Sequence, residues 1–325
     1  MDTKRFQILA LSGGGFRGLY TARILDALEQ KAGTPLANCF GLLAGTSIGG
    51  IIALAIALEK PTADIVRMFE LHGGDIFRRR NTFGMWQSPY TTDAMRELLG
   101  DDAWFGTRTL QELKHPTIIP VLDYSNGAPV VFATPHDPLD MRGANTRLVD
   151  VALATSAAPA YFPRFVLNNR EYLDGGLFAN APGAIALNEA DFHMSCEERD
   201  MYILAIGTTG TTQRTTQTRN GRGGMLDWGG FNPLRAPRHL LELSISAQEI
   251  VADSILRHRL TEERYVMLDD VLSDDDASKV ALDKIDADAR EVLNTLGHAR
   301  AQIALQDPRV LTMLSHRAAA VNIAQ

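Results

Sequence analysis

Over its first half the chain alternates short apolar runs with glycine-rich breaks. Phe6 to Leu11 is mainly apolar and ends at a glycine cluster, which predicts a short buried strand. After Gly13 to Gly18, the segment Leu19 to Ala32 carries Ile24, Leu25 and Leu28 at helical spacing. The unit repeats: Phe40 to Ala44 reads as a strand, Gly45 to Gly49 as a turn, and Ile51 to Leu58 as an apolar helix. Strand-like runs follow at Thr117 to Asp123 and Val130 to Thr134, around the turn residues Ser125, Asn126 and Gly127. Val149 to Thr155 is helical in pattern, and Glu171 to Leu173 and Met201 to Ile206 are two further strands. Strands alternating with helices predict a mainly parallel sheet covered on both faces.

The second half reads differently. Thr208 to Gly224, rich in Thr, Gly, Gln and Arg, has no apolar period and predicts a loop. From Arg238 to Leu260, the residues Leu240, Leu241, Ile245, Ile250, Val251, Ile255 and Leu256 predict a long amphipathic helix. The last third is mainly helical in pattern, and no internal repeat is visible. One domain over residues 1–325 is expected, with its motifs concentrated in residues 6–210 and a helical extension over 238–325.

Composition narrows the class. A hydrophobic share of 45% and a charged share of 22% suit a folded globular protein. A net charge of −7 argues against a nucleic-acid polymer as partner, and Arg78, Arg79 and Arg80 form the one obvious basic cluster. Cys39 and Cys196 have no metal-ligand spacing, so no zinc site or disulfide framework is indicated, and a reducing cytosol fits. The apolar run at the N-terminus is too short for a signal-peptide core. Leu42 to Glu59 is the most apolar stretch, but Gly45, Thr46, Ser47, Gly49 and Gly50 interrupt it, so a membrane span is not expected.

Two glycine motifs lie at strand-to-helix junctions. Gly45-Thr46-Ser47-Ile48-Gly49 satisfies G-x-S-x-G, a sharp turn that projects the serine hydroxyl above the helix N-terminus. Gly13-Gly14-Gly15-Phe16-Arg17-Gly18 satisfies the dinucleotide fingerprint G-x-G-x-x-G, which makes a dinucleotide-binding protein the rival reading. That fingerprint expects an acid about 20 residues on, yet Thr34 to Ala44 contains none. A Walker loop would put Lys and Ser or Thr where Leu19 and Tyr20 stand. The remaining use is an oxyanion hole, in which backbone N–H groups of the glycine loop converge on one oxygen. Arg17 would brace that loop, meet an anionic head group, or lie solvated at the helix start.

A serine hydroxyl needs a base. None of the eight histidines has a motif around it. Asp174 does: it ends the run Glu171-Tyr172-Leu173 and is followed by Gly175 and Gly176, which allow close backbone approach. Asn180 and Pro182 read as the cap and first residue of the next helix. A carboxylate is a weak base for an alcohol, so a Ser47 and Asp174 pair would depend on a well-held oxyanion.

These three motifs, in this order, resemble the patatin-like phospholipase family, and Ala154-Thr155-Ser156-Ala157-Ala158-Pro159 resembles a further family block. The resemblance implies a serine lipid acyl hydrolase acting on membrane phospholipid through a Ser47 and Asp174 dyad. It further implies a three-layer α/β/α fold, no metal and no organic cofactor. Beyond residue 210, the long helix from Arg238 and the strand-like Arg264 to Leu268 resemble bacterial patatin effectors of anti-phage signalling. That implies a cyclic dinucleotide activator, a homo-oligomer on activation, and peripheral action on the inner face of the cell membrane. The alternative is a constitutive esterase of lipid metabolism. Phe77, Phe83, Met85, Trp86, Trp104 and Phe105, beside Arg78 to Arg80, suit either a lipid interface or core packing. Arg214, Arg219 and Arg222 would either order around an anionic activator or stay solvated.

Overall fold

The computed structural model describes residues 5–78, 88–137, 143–210 and 235–319. Its strands are β1 (Phe6–Leu11), β2 (Leu42–Gly45), β3 (Thr117–Asp123), β4 (Ala128–Ala133), β5 (Phe165–Leu167), β6 (Arg170–Asp174), β7 (Met201–Ile206) and β8 (Tyr265–Leu268). They form one sheet in the order β5-β6-β3-β2-β1-β7-β8, with β4 also on β3. The stretch β3-β2-β1-β7-β8 is parallel, whereas β4, β5 and β6 join in antiparallel pairs. Strands from both halves of the chain thus share one sheet.

Alternation along the strands sets the layers. Leu9 and Leu11 of β1 and Leu204 and Ile206 of β7 face one core, while Ile8, Ala10, Ile203 and Ala205 face a second. A sheet apolar on both faces must be covered on both. The first face takes α1 (Gly18–Ala32), α2 (Ile48–Ala57), α3 (Thr62–Ile76), α4 (Asp93–Gly100) and α5 (Leu148–Thr155). After the short α6 (Gly176–Ala179), the second face takes α7 (Gly183–Phe192) and the end of α8 (Arg235–Arg259). The small α9 (Asp274–Lys279) follows β8, and α10 (Ala287–Ala304) and α11 (Pro308–Ser315) return to the first core. The result is the three-layer α/β/α fold with a mostly parallel sheet.

The pairing of β3 positions the serine turn. One edge of β3 is occupied by β4 from Ile118 to Asp123. The other is divided between β2, at Thr117 and Ile118, and β6, at Val121 to Asp123. Because β2 runs with β3 and β6 against it, the two approach head-on along one edge, C-terminus to C-terminus. Pro120 lies in the gap between them, where no ladder partner needs the N–H it lacks.

Several expectations change. The apolar Leu42 to Glu59 stretch divides into β2, a tight turn and α2, all of whose residues are buried, as suits a helix that is hydrophobic all round. The hairpin β5–β6 was not legible as a pair. It turns on Asn168 and Asn169, both at positive φ (49° and 61°), the conformation of a type I′ turn. The expected stripe of α8 splits: Leu241 and Leu256 are buried, while Leu240, Ile250, Val251 and Ile255 are exposed. The expected loop from Thr208 begins with buried Thr208 and Thr209, and its remainder, 211–224, lies outside the described residues, as do Arg79, Arg80, Phe83, Met85 and Trp86. Phe105 and Phe77 are core residues. Among the described residues no helix is long and apolar enough to cross a membrane.

Ile52, fully buried in α2, and Ile250, exposed on α8, calibrate this core. Ile52→Ala is expected to cost about 2–5 kcal/mol in chemical denaturation, and Ile250→Ala to stay within about 0.5 kcal/mol of the native protein.

Candidate active site

The turn between β2 and α2 holds Ser47 at φ 54° and ψ −126°, a region that a non-glycine residue occupies at a cost of about 1–3 kcal/mol. The turn is locked from several sides. The Thr46 hydroxyl donates to the Ala179 carbonyl at 2.6 Å, and the Ser47 N–H donates to Thr155 Oγ1 at 3.0 Å. Thr155 in turn donates to the Pro120 carbonyl at 2.8 Å, in the gap between the two opposed strands. Gly45 ends β2, Ile48 starts α2, and a Cβ on Gly49 would stand 2.4 Å from the Leu11 carbonyl oxygen, so only glycine lets α2 pass β1 this closely.

Asp174 ends β6, and its Oδ2 accepts the Ser47 hydroxyl at 2.6 Å. Its Oδ1 accepts the Gly176 N–H at 2.7 Å. A side chain on Gly175 would collide with the Pro120 carbonyl, its Cβ only 2.2 Å from that oxygen, so the glycine allows the chain to turn away immediately after the carboxylate. Burial is the largest influence on Asp174. It pushes the carboxyl up to about 6 against the lowering effect of the Ser47 and Gly176 hydrogen bonds. The histidines lie elsewhere: His115 pairs with Glu59, His136 with Glu189 and His193 with Asp137, and none lines the pocket around Ser47.

The glycine loop runs beside this pair. Four of its amides are engaged: Gly13 donates to the Asn180 carbonyl, Phe16 to Leu282, Arg17 to Gly14, and Gly18 to Gly15 and Phe16. For the Gly14 and Gly15 amides no partner is found among the described residues, and both glycines line the pocket with Ser47 and Asp174. Arg17 is buried and donates to the Thr209 carbonyl at 2.9 Å, so it braces the loop from behind rather than reaching into the pocket. Glu249 and Asp269 flank it, and burial raises both carboxyls, Asp269 to about 6.

Away from these polar groups the pocket is apolar, with Ile51, Met68, Phe69, Met95, Leu99 and Leu241 drawn from α2, α3, α4 and α8. Phe77 lines it too, edge-on to Phe16 and Tyr90.

The sequence did not reveal the contribution of the second half. Asn180 is not the cap of the following helix. It ends α6, and Pro182 precedes the start of α7 at Gly183. Its side-chain amide instead donates to the Gly13 carbonyl at 3.2 Å and to Glu249 at 2.6 Å. Gln248 donates to the Leu177 carbonyl and accepts the Asn180 N–H. Thus α8 clasps the segment after Asp174, and Leu282 holds the glycine loop through the Phe16 amide at 2.8 Å. The signal available in sequence was the polar pair Gln248-Glu249 between Ile245 and Ile250 of the amphipathic helix.

Comparison with known proteins places this geometry. The family model for patatin-like phospholipase matches residues 9–187, which contain the glycine loop, the serine turn and Asp174. A cGAMP-activated phospholipase of Pseudomonas aeruginosa is 38% identical over 320 residues, covering 96% of this chain and 93% of its own. Its namesake in Vibrio cholerae is 32% identical, covering 90% and 89%. Among solved structures, VipD from Legionella pneumophila aligns over 95% of this chain and 67% of its own, with a TM-score of 0.50 and 12% identity, a likeness of fold alone. With the family model spanning more than half of the chain, this protein belongs to the patatin-like phospholipases and is a lipid acyl hydrolase.

Proposed function

We propose that the protein cleaves acyl esters of membrane glycerophospholipids through a Ser47–Asp174 dyad and that cGAMP switches it on. The observation that carries the chemistry is the 2.6 Å hydrogen bond from Ser47 Oγ to Asp174 Oδ2, with no imidazole beside it. Asp174 takes the serine proton as Ser47 attacks the ester carbonyl. A carboxyl raised to about 6 is a better base than an ordinary aspartate and is still ionised at neutral pH. The Gly14 and Gly15 amides hold the oxyanion, aided by the positive end of α2. The apolar pocket takes the acyl chain. Water then releases the fatty acid from Ser47.

The activator rests on relatives that bear the name cGAMP-activated phospholipase and match nearly the whole chain, α8 included. In that setting the chain is an anti-phage effector that acts peripherally on the cell membrane. The contacts of α8 with Leu177, Asn180 and the pocket give a ligand bound near that helix a direct path to the catalytic groups.

Three measurements test this reading. Ser47→Ala is expected to lower fatty-acid release from phospholipid vesicles by about 10⁴-fold or more. Asp174→Asn should be nearly as damaging, about 10³ to 10⁴-fold. Holding Asp174 ionised at neutral pH costs the fold on the order of 3 kcal/mol, so Asp174→Asn should melt no lower than the native protein.

The pH dependences of activity and stability run in opposite directions. Activity needs the carboxylate, so kcat/KM should climb as pH rises through about 6 and then level off. Stability from this group is greatest below the ordinary carboxylate range, where it is protonated in folded and unfolded chains alike, and is lost as pH rises from there through about 6, the window in which only the fold keeps the proton. Rate and melting profiles recorded from pH 4 to pH 8, a span bracketing about two units on each side of the midpoint, check both signs.

Vesicle hydrolysis with and without cGAMP tests the switch. An increase of about tenfold or more is expected. Equal rates would identify a constitutive esterase instead.

A further inference from the structure

Among the described residues, Ser156 Oγ is the buried side-chain polar atom that has no hydrogen-bond partner. Ser156 is 8% exposed, and an unpaired buried hydroxyl destabilises the fold that contains it. Its neighbour Thr155 has the opposite fate, accepting from the Ser47 N–H and donating to Pro120. On the other side, the Ala157 carbonyl accepts the Asp174 N–H at 3.1 Å. Ser156 is therefore bracketed by the two residues that hold the backbones of Ser47 and Asp174, and it lines the same pocket as both.

Its side of the pocket is informative. Gly14 and Gly15 enter the pocket from the end of β1, and Ser156 enters it from the end of α5, which packs against β3 and against β6, the strand that Asp174 ends. When Ser47 attacks an ester, three oxygens surround the carbonyl carbon. Ser47 Oγ is one, and the oxyanion, facing the glycine amides, is the second. The third is the leaving oxygen, which must receive a proton from Asp174 and so lies on the Asp174 side. In the second half-reaction, water occupies the place the leaving oxygen vacated, by microscopic reversibility.

Building on the dyad reading above, we propose that Ser156 is a further catalytic residue whose hydroxyl binds the leaving oxygen during acylation and the attacking water during deacylation. In the first step the Ser47 Oγ–C bond forms, the C–O bond to the leaving alcohol breaks, and the serine proton passes through Asp174 to that alcohol. Ser156 keeps its own proton and donates a hydrogen bond to the oxygen as negative charge builds. In the second step a water O–C bond forms, the Ser47 Oγ–C bond breaks, and the water proton returns through Asp174 to Ser47. Here Ser156 fixes the water oxygen.

The test compares Ser156→Ala with the native protein on two esters of one fatty acid, a nitrophenyl ester and a glyceryl ester. The glyceryl ester, with its poor leaving group, should lose about tenfold to hundredfold in kcat with KM little changed. The nitrophenyl ester should acylate at a near-native rate and hydrolyse slowly. It should give a nitrophenol burst and an acyl adduct on Ser47 detectable by intact mass. Titration of Ser47 with a fluorophosphonate counts competent sites, and the melting temperature should equal or exceed the native value, because the change removes an unpaired hydroxyl. Native rates on both esters would overturn the assignment. So would equal losses on both with a lowered melting temperature, the mark of a structural role. Ser47→Ala serves as the control for the underlying reading: if it still turns over, the dyad itself falls. If it is inactive while Ser156→Ala is native-like, only Ser156 loses its role.

Discussion

The rest of the structure depends on one hydrogen bond: Ser47 to Asp174, 2.6 Å long and part-buried, in a pocket that Gly14 and Gly15 also line. Two residues so far apart in the chain meet because β2 and β6 share one edge of β3 and run toward each other along it. The strand ends are the fixed points, and the turns after them aim the side chains inward. A β6 running parallel to β3 over the same positions would end beside Asp123, farther from the serine turn. Here a hairpin folded back from Asn168 and Asn169 delivers Asp174.

The same place concentrates what is unfavourable in the fold. Ser47 is held in a strained conformation, burial disfavours the ionised form of Asp174, and the Ser156 hydroxyl has no partner among the described residues. Each lowers stability by an amount on the order of 1–3 kcal/mol. They persist because the surroundings over-determine them: Thr46, Thr155, Gly176 and the core beneath α2 allow little relaxation.

The second half of the chain is part of this site. α8 contributes Leu241 and Ile245 to the pocket wall and, through Gln248 and Glu249, grips Leu177 and Asn180 just after Asp174. The Leu282 carbonyl accepts the Phe16 amide, while Gly14 and Gly15, whose amides have no partner among the described residues, line the pocket. α8 meets the apolar pocket and the segment after Asp174 directly, and the glycine loop through the Asn180 side chain, so its position is coupled to all three.

Sequence alone determined whatever depends on local rules. Apolar runs such as Phe6–Leu11 and Met201–Ile206, alternating with helical stretches, foretold a sheet covered on both faces, and glycines around Ser47 and after Asp174 marked chain turns that tolerate no Cβ. These are properties of a few consecutive residues. Tertiary structure alone decided the rest: the direction of β6, the release of Asn180 from a cap to a cross-brace, and, among the described residues, which loop amides and which buried hydroxyl are left without a partner. Each depends on which distant group arrives as neighbour. Side-chain period and turn chemistry repeat within a few residues and can be read along the chain, whereas a hydrogen-bond partner is set by packing across it.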